Sequence, residues 1–184
     1  EVSYVSASDP ASWEAAIKPN TKMIYLETPT NPGLDIIDLE FVNGLAKKHN
    51  LLLNVDNCFA TPVNQRPIDF GADLVIHSAT KWIDGQGRVL GGVIVGKKEL
   101  IQQIYLFCRS TGPALSPFNA WVLSKSLETL DVRLERHAAN ALHIAKKIID
   151  SNKNLKGTIE IRKQNNLKDK FRGIVQKNEF FDFS

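Results

Sequence analysis

Apolar residues in this chain gather in short runs over 22–27, 51–56 and 74–77, with polar or helix-spaced stretches between them. Each run has the length of a strand buried on both faces of a parallel sheet. Periodicity alone leaves so short a run open to a helical reading. Turn residues favour strands: Thr28-Pro-Thr-Asn-Pro-Gly33 follows the first run, and Gly71 precedes the third. Asp38 to His49 reads as an amphipathic helix with Leu39, Val42, Leu45 and Ala46 on one face. Upstream, Asp9-Pro10 is a cap followed by proline at the first position of a helix reaching Ile17. Downstream, Gly91 to Gly96 is a glycine-flanked strand, where glycine lets the backbone approach a ligand or another strand closely. Ser116-Pro117 opens a helix to about Leu130. Residues 131–150 form another, with Leu134, Ala138, Ala141, Ala145 and Ile148 as its core-facing stripe. The alternation predicts an α/β architecture, a mostly parallel sheet flanked by helices. After Asp150 the chain turns polar, with a strand-like stretch at Gly157–Ile161 and an aromatic cluster at Phe180–Phe183.

Candidate chemistry lies at the ends of the second and third runs, because ligands of open α/β sheets bind beyond the carboxyl ends of the strands. The third run leads into Ser78-Ala-Thr-Lys81, two hydroxyls able to hold a phosphate and an amine able to form a Schiff base. Asp56 ends the second run. If both runs share one parallel sheet, carboxylate and amine emerge on the same edge. A carboxylate so placed can pair with a protonated pyridine nitrogen, as pyridoxal phosphate requires. On these residues alone the plainer readings stay open: a solvated lysine, an aspartate capping a turn, and simple turn chemistry at Asn31. His77, inside the run, reads as a core histidine. The histidines at 49, 77, 137 and 143 lack ligand spacing, so no metal site is expected.

Composition narrows the partners. The net charge of +3 divides unevenly: residues 1–150 hold 15 Lys+Arg against 16 Asp+Glu, and residues 151–184 hold 8 against 4. The basic surplus is confined to the tail, mixed in sign and without a binding motif, so no nucleic-acid partner is expected. Cys58 and Cys108 make no disulfide framework and suit a reducing cytosol. No apolar run approaches membrane-spanning length, and no signal segment opens the chain; a soluble, cytoplasmic protein is expected. The opening at Glu1, without a methionine, suggests a piece of a longer chain.

Several motifs fit as an ordered set: Glu27-Thr-Pro-Thr-Asn-Pro32, Val55-Asp-Asn57 with Ala60-Thr-Pro62, Gln65-Arg-Pro67, Gly71-Ala-Asp73 and His77-Ser-Ala-Thr-Lys81. In these the chain resembles the Cys/Met-metabolism (transsulfuration) branch of pyridoxal-phosphate enzymes. The stretches Asp84–Gly92 and Arg109–Phe118 look most like its O-succinylhomoserine sulfhydrylases. The resemblance covers residues 1 to about 150. It implies part of a fold-type I (aspartate-aminotransferase-like) large domain over 1–150, ending in the helix that leads to a small domain. Residues 151–184 are then a divergent tail of a truncated or frame-shifted copy.

The resemblance also implies roles. Lys81 carries the cofactor and shuttles protons, which needs its neutral form; burial and a cationic cofactor favour that form. Asp56 keeps the pyridine nitrogen protonated, Ser78 and Thr80 bond the phosphate, and Asn31 contacts the ring-hydroxyl side. The family's stacking aromatic, its phosphate-binding glycine amides and its substrate-gripping arginine all fall outside this chain. The reaction implied is γ-replacement on O-succinyl- or O-acetylhomoserine by a sulfur nucleophile, in a homo-oligomer that is tetrameric in the family. The alternatives are C–S lysis of cystathionine or methionine, or an inactive remnant or interaction module with an exposed apolar surface.

Overall fold

The computed structural model describes residues 1–151. The expectations at Gly157–Ile161 and Phe180–Phe183 lie outside the described residues. The three apolar runs form β1 (Met23–Glu27), β2 (Leu52–Asp56) and β3 (Leu74–Ser78), paired side by side in parallel. Antiparallel to β3 runs β4 (Gly92–Gly96), so the sheet order is β1-β2-β3-β4. Mostly parallel pairing is what the alternation of runs and amphipathic stretches predicts.

Helices form where capping and pattern agree. Asp9 caps α1 (Pro10–Ala15) by accepting from the Ala11 amide at 3.0 Å, and Asp38 caps α2 (Leu39–Lys48) from Phe41 at 3.1 Å. Ser116 does the same for α5 (Pro117–Leu127). A short α3 (Thr61–Asn64) follows β2, and α4 (Lys98–Thr111) follows β4. The last described helix, α6 (Leu130–Ser151), packs against α3 and α5.

The main core lies on one face of the sheet. Leu26, Leu53, Val55 and Val75 meet Leu39, Val42, Leu45 and Ala46 of α2, with Trp13 of α1 beside them. This is the face that the helical spacing assigns to α2. Leu53, in β2, is 1% exposed. Leu53→Ala is expected to destabilise the chain by about 3 kcal/mol, lost burial plus a cavity. Urea unfolding reads the difference, and an unchanged midpoint would contradict this placement of the core.

Two expectations change. The α6 stripe is buried only at Leu134 and Ala138, whereas Ala141, Ala145 and Ile148 are exposed, because α6 runs past the elements it packs on. The strand at the glycine-rich stretch exists, but Val93, Ile94 and Val95 are all exposed, as are Tyr105, Phe107, Phe118 and Trp121. Its glycine serves a close strand approach: a Cβ on Gly96 would lie 2.3 Å from the Asp73 carbonyl oxygen.

Candidate functional site

The parallel register brings the ends of three strands together, pairing Glu27 with Asp56 and Asp56 with Ile76. Two residues beyond Ile76, β3 ends at Ser78, and the chain turns through a wide π-type turn, Ala79–Ile83, that carries Lys81. Asp56 and Lys81 therefore leave adjacent parallel strands on one rim of the sheet. The loop bearing Asn31 leaves β1 on that rim too, its backbone N–H donating to Glu27 Oε2 at 3.1 Å.

Asp56 is half-buried and polarised by its neighbours. Its Oδ1 accepts from the Cys58 amide at 3.0 Å, and the Tyr25 hydroxyl donates to Oδ2 across a long 3.4 Å. Burial and the Asp56 charge push the Tyr25 hydroxyl above its ordinary value. Cys58 is squeezed between the two strand ends: its Sγ accepts from the Ser78 amide at 2.7 Å. Burial, and then its contact with Asp56, push the thiol up to about 11, so it is not a nucleophile near neutral pH. From the sequence, Cys58 reads only as a small apolar residue. The adjacent strand ends that make it a link are visible only once the register is known.

Lys81 is exposed, with backbone angles of φ −88 and ψ −117 that depart from the helix around it. Burial of this lysine, which its proposed role favours, is not found among the described residues. Its Nζ has no partner there, and neither has the Ser78 hydroxyl. Thr80 differs: its hydroxyl donates to the Gly91 carbonyl at 3.3 Å and accepts from the Gly91 amide at 3.1 Å. Its one proton is thus already directed at Gly91. The Asn31 side chain is exposed at the rim.

His77 is buried, as a core histidine should be. Burial lowers its pKa, outweighing the opposing pull of Asp56 and a hydrogen bond with Asn57. A depressed folded-state value means that the unfolded chain binds the proton first. Stability should therefore be full above the ordinary value of 6.5 and fall as pH drops below it. Thermal melts at stepped pH should show that decline, and His77→Phe should flatten it; an unchanged slope in the variant would remove His77 as its source.

The loops behind the rim are held by buried amides. Gln65 Nε2 donates to the Thr28 carbonyl at 3.0 Å and to Asn57 Oδ1 at 2.9 Å, while Asn57 Nδ2 returns a bond to the Gln65 carbonyl at 2.8 Å. These bonds tie the Asn31 loop to the segment after Asp56. Among the described residues no cluster of three His, Cys, Asp or Glu side chains could hold a metal, and no helix is long and apolar enough to cross a membrane.

An unpartnered amine, a rim carboxylate and an unpartnered hydroxyl fit an anionic aldehyde cofactor with a basic ring nitrogen. Comparison with known proteins shows the family to which such a site can be related. The sequence pattern described as "Cys/Met metabolism PLP-dependent enzyme" matches residues 1–158. A second, described as "RNA methyltransferase", matches residues 135–184. O-succinylhomoserine sulfhydrylase of Pseudomonas aeruginosa is 51% identical over 145 residues, 79% of this chain and 36% of the relative. L-methionine gamma-lyase of Treponema denticola is 45% identical, over 79% of this chain and 37% of the relative. The crystal structure of cystathionine gamma-lyase from Lactobacillus plantarum in complex with L-serine superimposes with a TM-score of 0.73 at 38% identity, over 79% of this chain and 39% of that one. The chain thus spans little more than a third of the length of these relatives.

Proposed function

The chain belongs to the Cys/Met metabolism family of pyridoxal-phosphate-dependent enzymes, and from that premise we propose that it contributes the cofactor-anchoring half of a transsulfuration active site. Its α/β sheet is part of a fold-type I large domain. In this reading residues 1–150 belong to that domain and residues 151–184 are a divergent tail. The observation that carries the proposal is the shared rim, with Asp56 and Lys81 leaving neighbouring parallel strands.

Each residue then has a physical task. Lys81 holds the cofactor through its ε-amine and afterwards accepts and returns protons at the substrate carbons. Asp56 holds a proton on the ring nitrogen by charge and hydrogen bond. Ser78 and Thr80 would hold the phosphate, Thr80 giving up its bond to the Gly91 carbonyl to donate there. Asn31 would contact the ring-hydroxyl side. Pyridoxal phosphate, when bound, supplies an electron sink for negative charge on a substrate carbon.

The reaction we favour is γ-replacement on O-succinyl- or O-acetylhomoserine by a sulfur nucleophile, in a cytoplasmic homo-oligomer of methionine and cysteine metabolism. The 51% identity to a sulfhydrylase supports it, and the 45% identity to a γ-lyase keeps C–S lysis of methionine or cystathionine as runner-up. Half a site does not turn over by itself, so the full-length parent is supplied with pyridoxal phosphate, then with O-succinylhomoserine and sulfide or with L-methionine alone, to separate the two. Sulfide consumption with homocysteine formation supports replacement; release of ammonia and a keto acid from methionine supports lysis.

A second reading, an inactive remnant or an interaction module, is favoured by one observation: the exposed apolar side chains of β4 and α4. It holds if both assays stay silent while the folded chain still captures the cofactor.

A further inference from the structure

The end of the turn that carries Lys81 is bonded by a side chain from a distant helix. In that turn Asp84 N–H donates to the Ala79 carbonyl at 2.8 Å, and Gly85 N–H to the Lys81 carbonyl at 2.7 Å. The backbone then departs through Gly85, at φ +72, leaving the carbonyls of Trp82 and Ile83 without a following turn to bond them. Arg133, on α6, takes both: Nη1 donates to the Trp82 carbonyl at 2.8 Å and Nη2 to the Ile83 carbonyl at 3.2 Å. The same guanidinium reaches the end of α5, donating to the Ser126 carbonyl at 3.1 Å and to Thr129 Oγ1 at 3.2 Å. Only a planar fork with several donors can bridge these acceptors at once.

Two further features fit the same arrangement. A Cβ on Gly85 would lie 2.3 Å from Arg133 Nη1, so the glycine makes room for the guanidinium as well as for the positive φ. Asp84, fully buried, accepts from the Arg88 amide at 2.6 Å and from Arg88 Nε at 2.9 Å, and Arg88 also donates to the Ser126 hydroxyl. Burial alone would raise the Asp84 carboxyl; the Arg88 bonds and charge outweigh it and hold the group below its ordinary value. Both arginines thus join the Lys81 turn to Ser126.

We propose that Arg133 is a positioning residue for Lys81, fixing the backbone of its turn so that a free, exposed amine points repeatedly at one place on the rim. The inference rests on the reading of Lys81 as the cofactor-bearing residue. Reactions of a held amine with a held carbonyl lose rate steeply when placement slips by an ångström.

The test uses the whole 184-residue chain as parent, Arg133→Met and Arg133→Lys, with Lys81→Ala beside them. Pyridoxal phosphate is added, the lysine linkage is trapped with borohydride, and the adduct is located by peptide mass. Circular dichroism of the cofactor's visible band reports its orientation, and amide exchange at Asp84 and Gly85 reports the turn. Arg133→Met should trap the cofactor at Lys81 at least tenfold more slowly, weaken the dichroic band and speed exchange at both amides. Arg133→Lys should recover part of the loss, and added guanidinium ion should rescue Arg133→Met. If Arg133→Met fails to fold, Arg133→Lys alone decides, and it should still trap several-fold more slowly than the parent. Parental trapping and dichroism in every folded Arg133 variant overturn the inference while leaving the Lys81 reading intact, provided that Lys81→Ala has lost the adduct. Retention of the adduct in Lys81→Ala overturns both.

Discussion

Lys81→Ala, incubated with pyridoxal phosphate and reduced with borohydride, should lose essentially all adduct, whereas Lys98→Ala should keep it. The contrast follows from strand direction. Lys81 follows β3, at the rim where Asp56 ends β2, while β4 runs antiparallel and delivers Lys97 and Lys98 to the opposite rim. Lys97 is further committed to an ion pair with Asp73, which raises its pKa through that hydrogen bond and charge. Lys81 has no competing acceptor among the described residues, so its amine is free to attack a carbonyl. Among the described residues Lys18, Lys48 and Lys125 are likewise held in ion pairs with carboxylates. Visible absorbance read before reduction gives the same comparison without the trap. Equal adduct in both variants would mean that the cofactor reacts with surface lysines at large and would remove Lys81 from the mechanism.

Much of this arrangement is legible in the sequence, for identifiable reasons. The runs ending at Asp56 and Ser78 are bounded by turn residues, which favours strands over helices for segments so short. The parallel order of β1 and β2 follows from the amphipathic helix between them. Only the four-residue α3 and a 3₁₀ turn at Pro67–Phe70 join β2 and β3, so their pairing is seen only in the structure. The caps at Asp9, Asp38 and Ser116 act as their residue types require. Less legible are features that depend on which elements meet. Helix α4 is as amphipathic as α2, but its apolar residues, Tyr105, Leu106 and Phe107 among them, are exposed, so the pattern does not tell which surface it covers. The α6 stripe has helical spacing to Ile148, yet spacing does not say where the packing partner ends.

At the site, sequence order places Ser78, Thr80 and Lys81 together, but it gives no sign that Gly91 takes the Thr80 hydroxyl. That contact exists because β4 returns antiparallel and sets Gly92 beside Ser78. Arg133 is 52 residues from Lys81 in the chain and belongs to no motif around it. Its signal lies wholly in three-dimensional contacts with carbonyl groups, which carry no side-chain identity. Gly85 is legible as part of a loop, though not as the space into which a guanidinium fits.

Asp56→Asn isolates the charge from the shape. The amide oxygen can still accept from the Cys58 N–H, so the loop after β2 should keep its course. What disappears is the negative charge that the proposed function sets against the ring nitrogen. Hydrogen bonds to charged groups contribute about 1.5–3 kcal/mol, and each 1.4 kcal/mol is about tenfold, so pyridoxal-phosphate affinity should fall by about one to two orders of magnitude. A fluorescence titration of the chain with the cofactor measures this. The thiol beside Asp56 reads the same charge in the chain alone. Burial is the larger cause of the elevated Cys58 value, and Asp56 adds to it. Asp56→Asn should therefore lower that value part of the way, and alkylation by iodoacetamide should accelerate at a less alkaline pH than in the parent. Faster alkylation with unchanged cofactor affinity would keep Asp56 as the neighbour of Cys58 but strip it of its place on the ring. If neither readout moves, the carboxylate does not exert its charge at this rim.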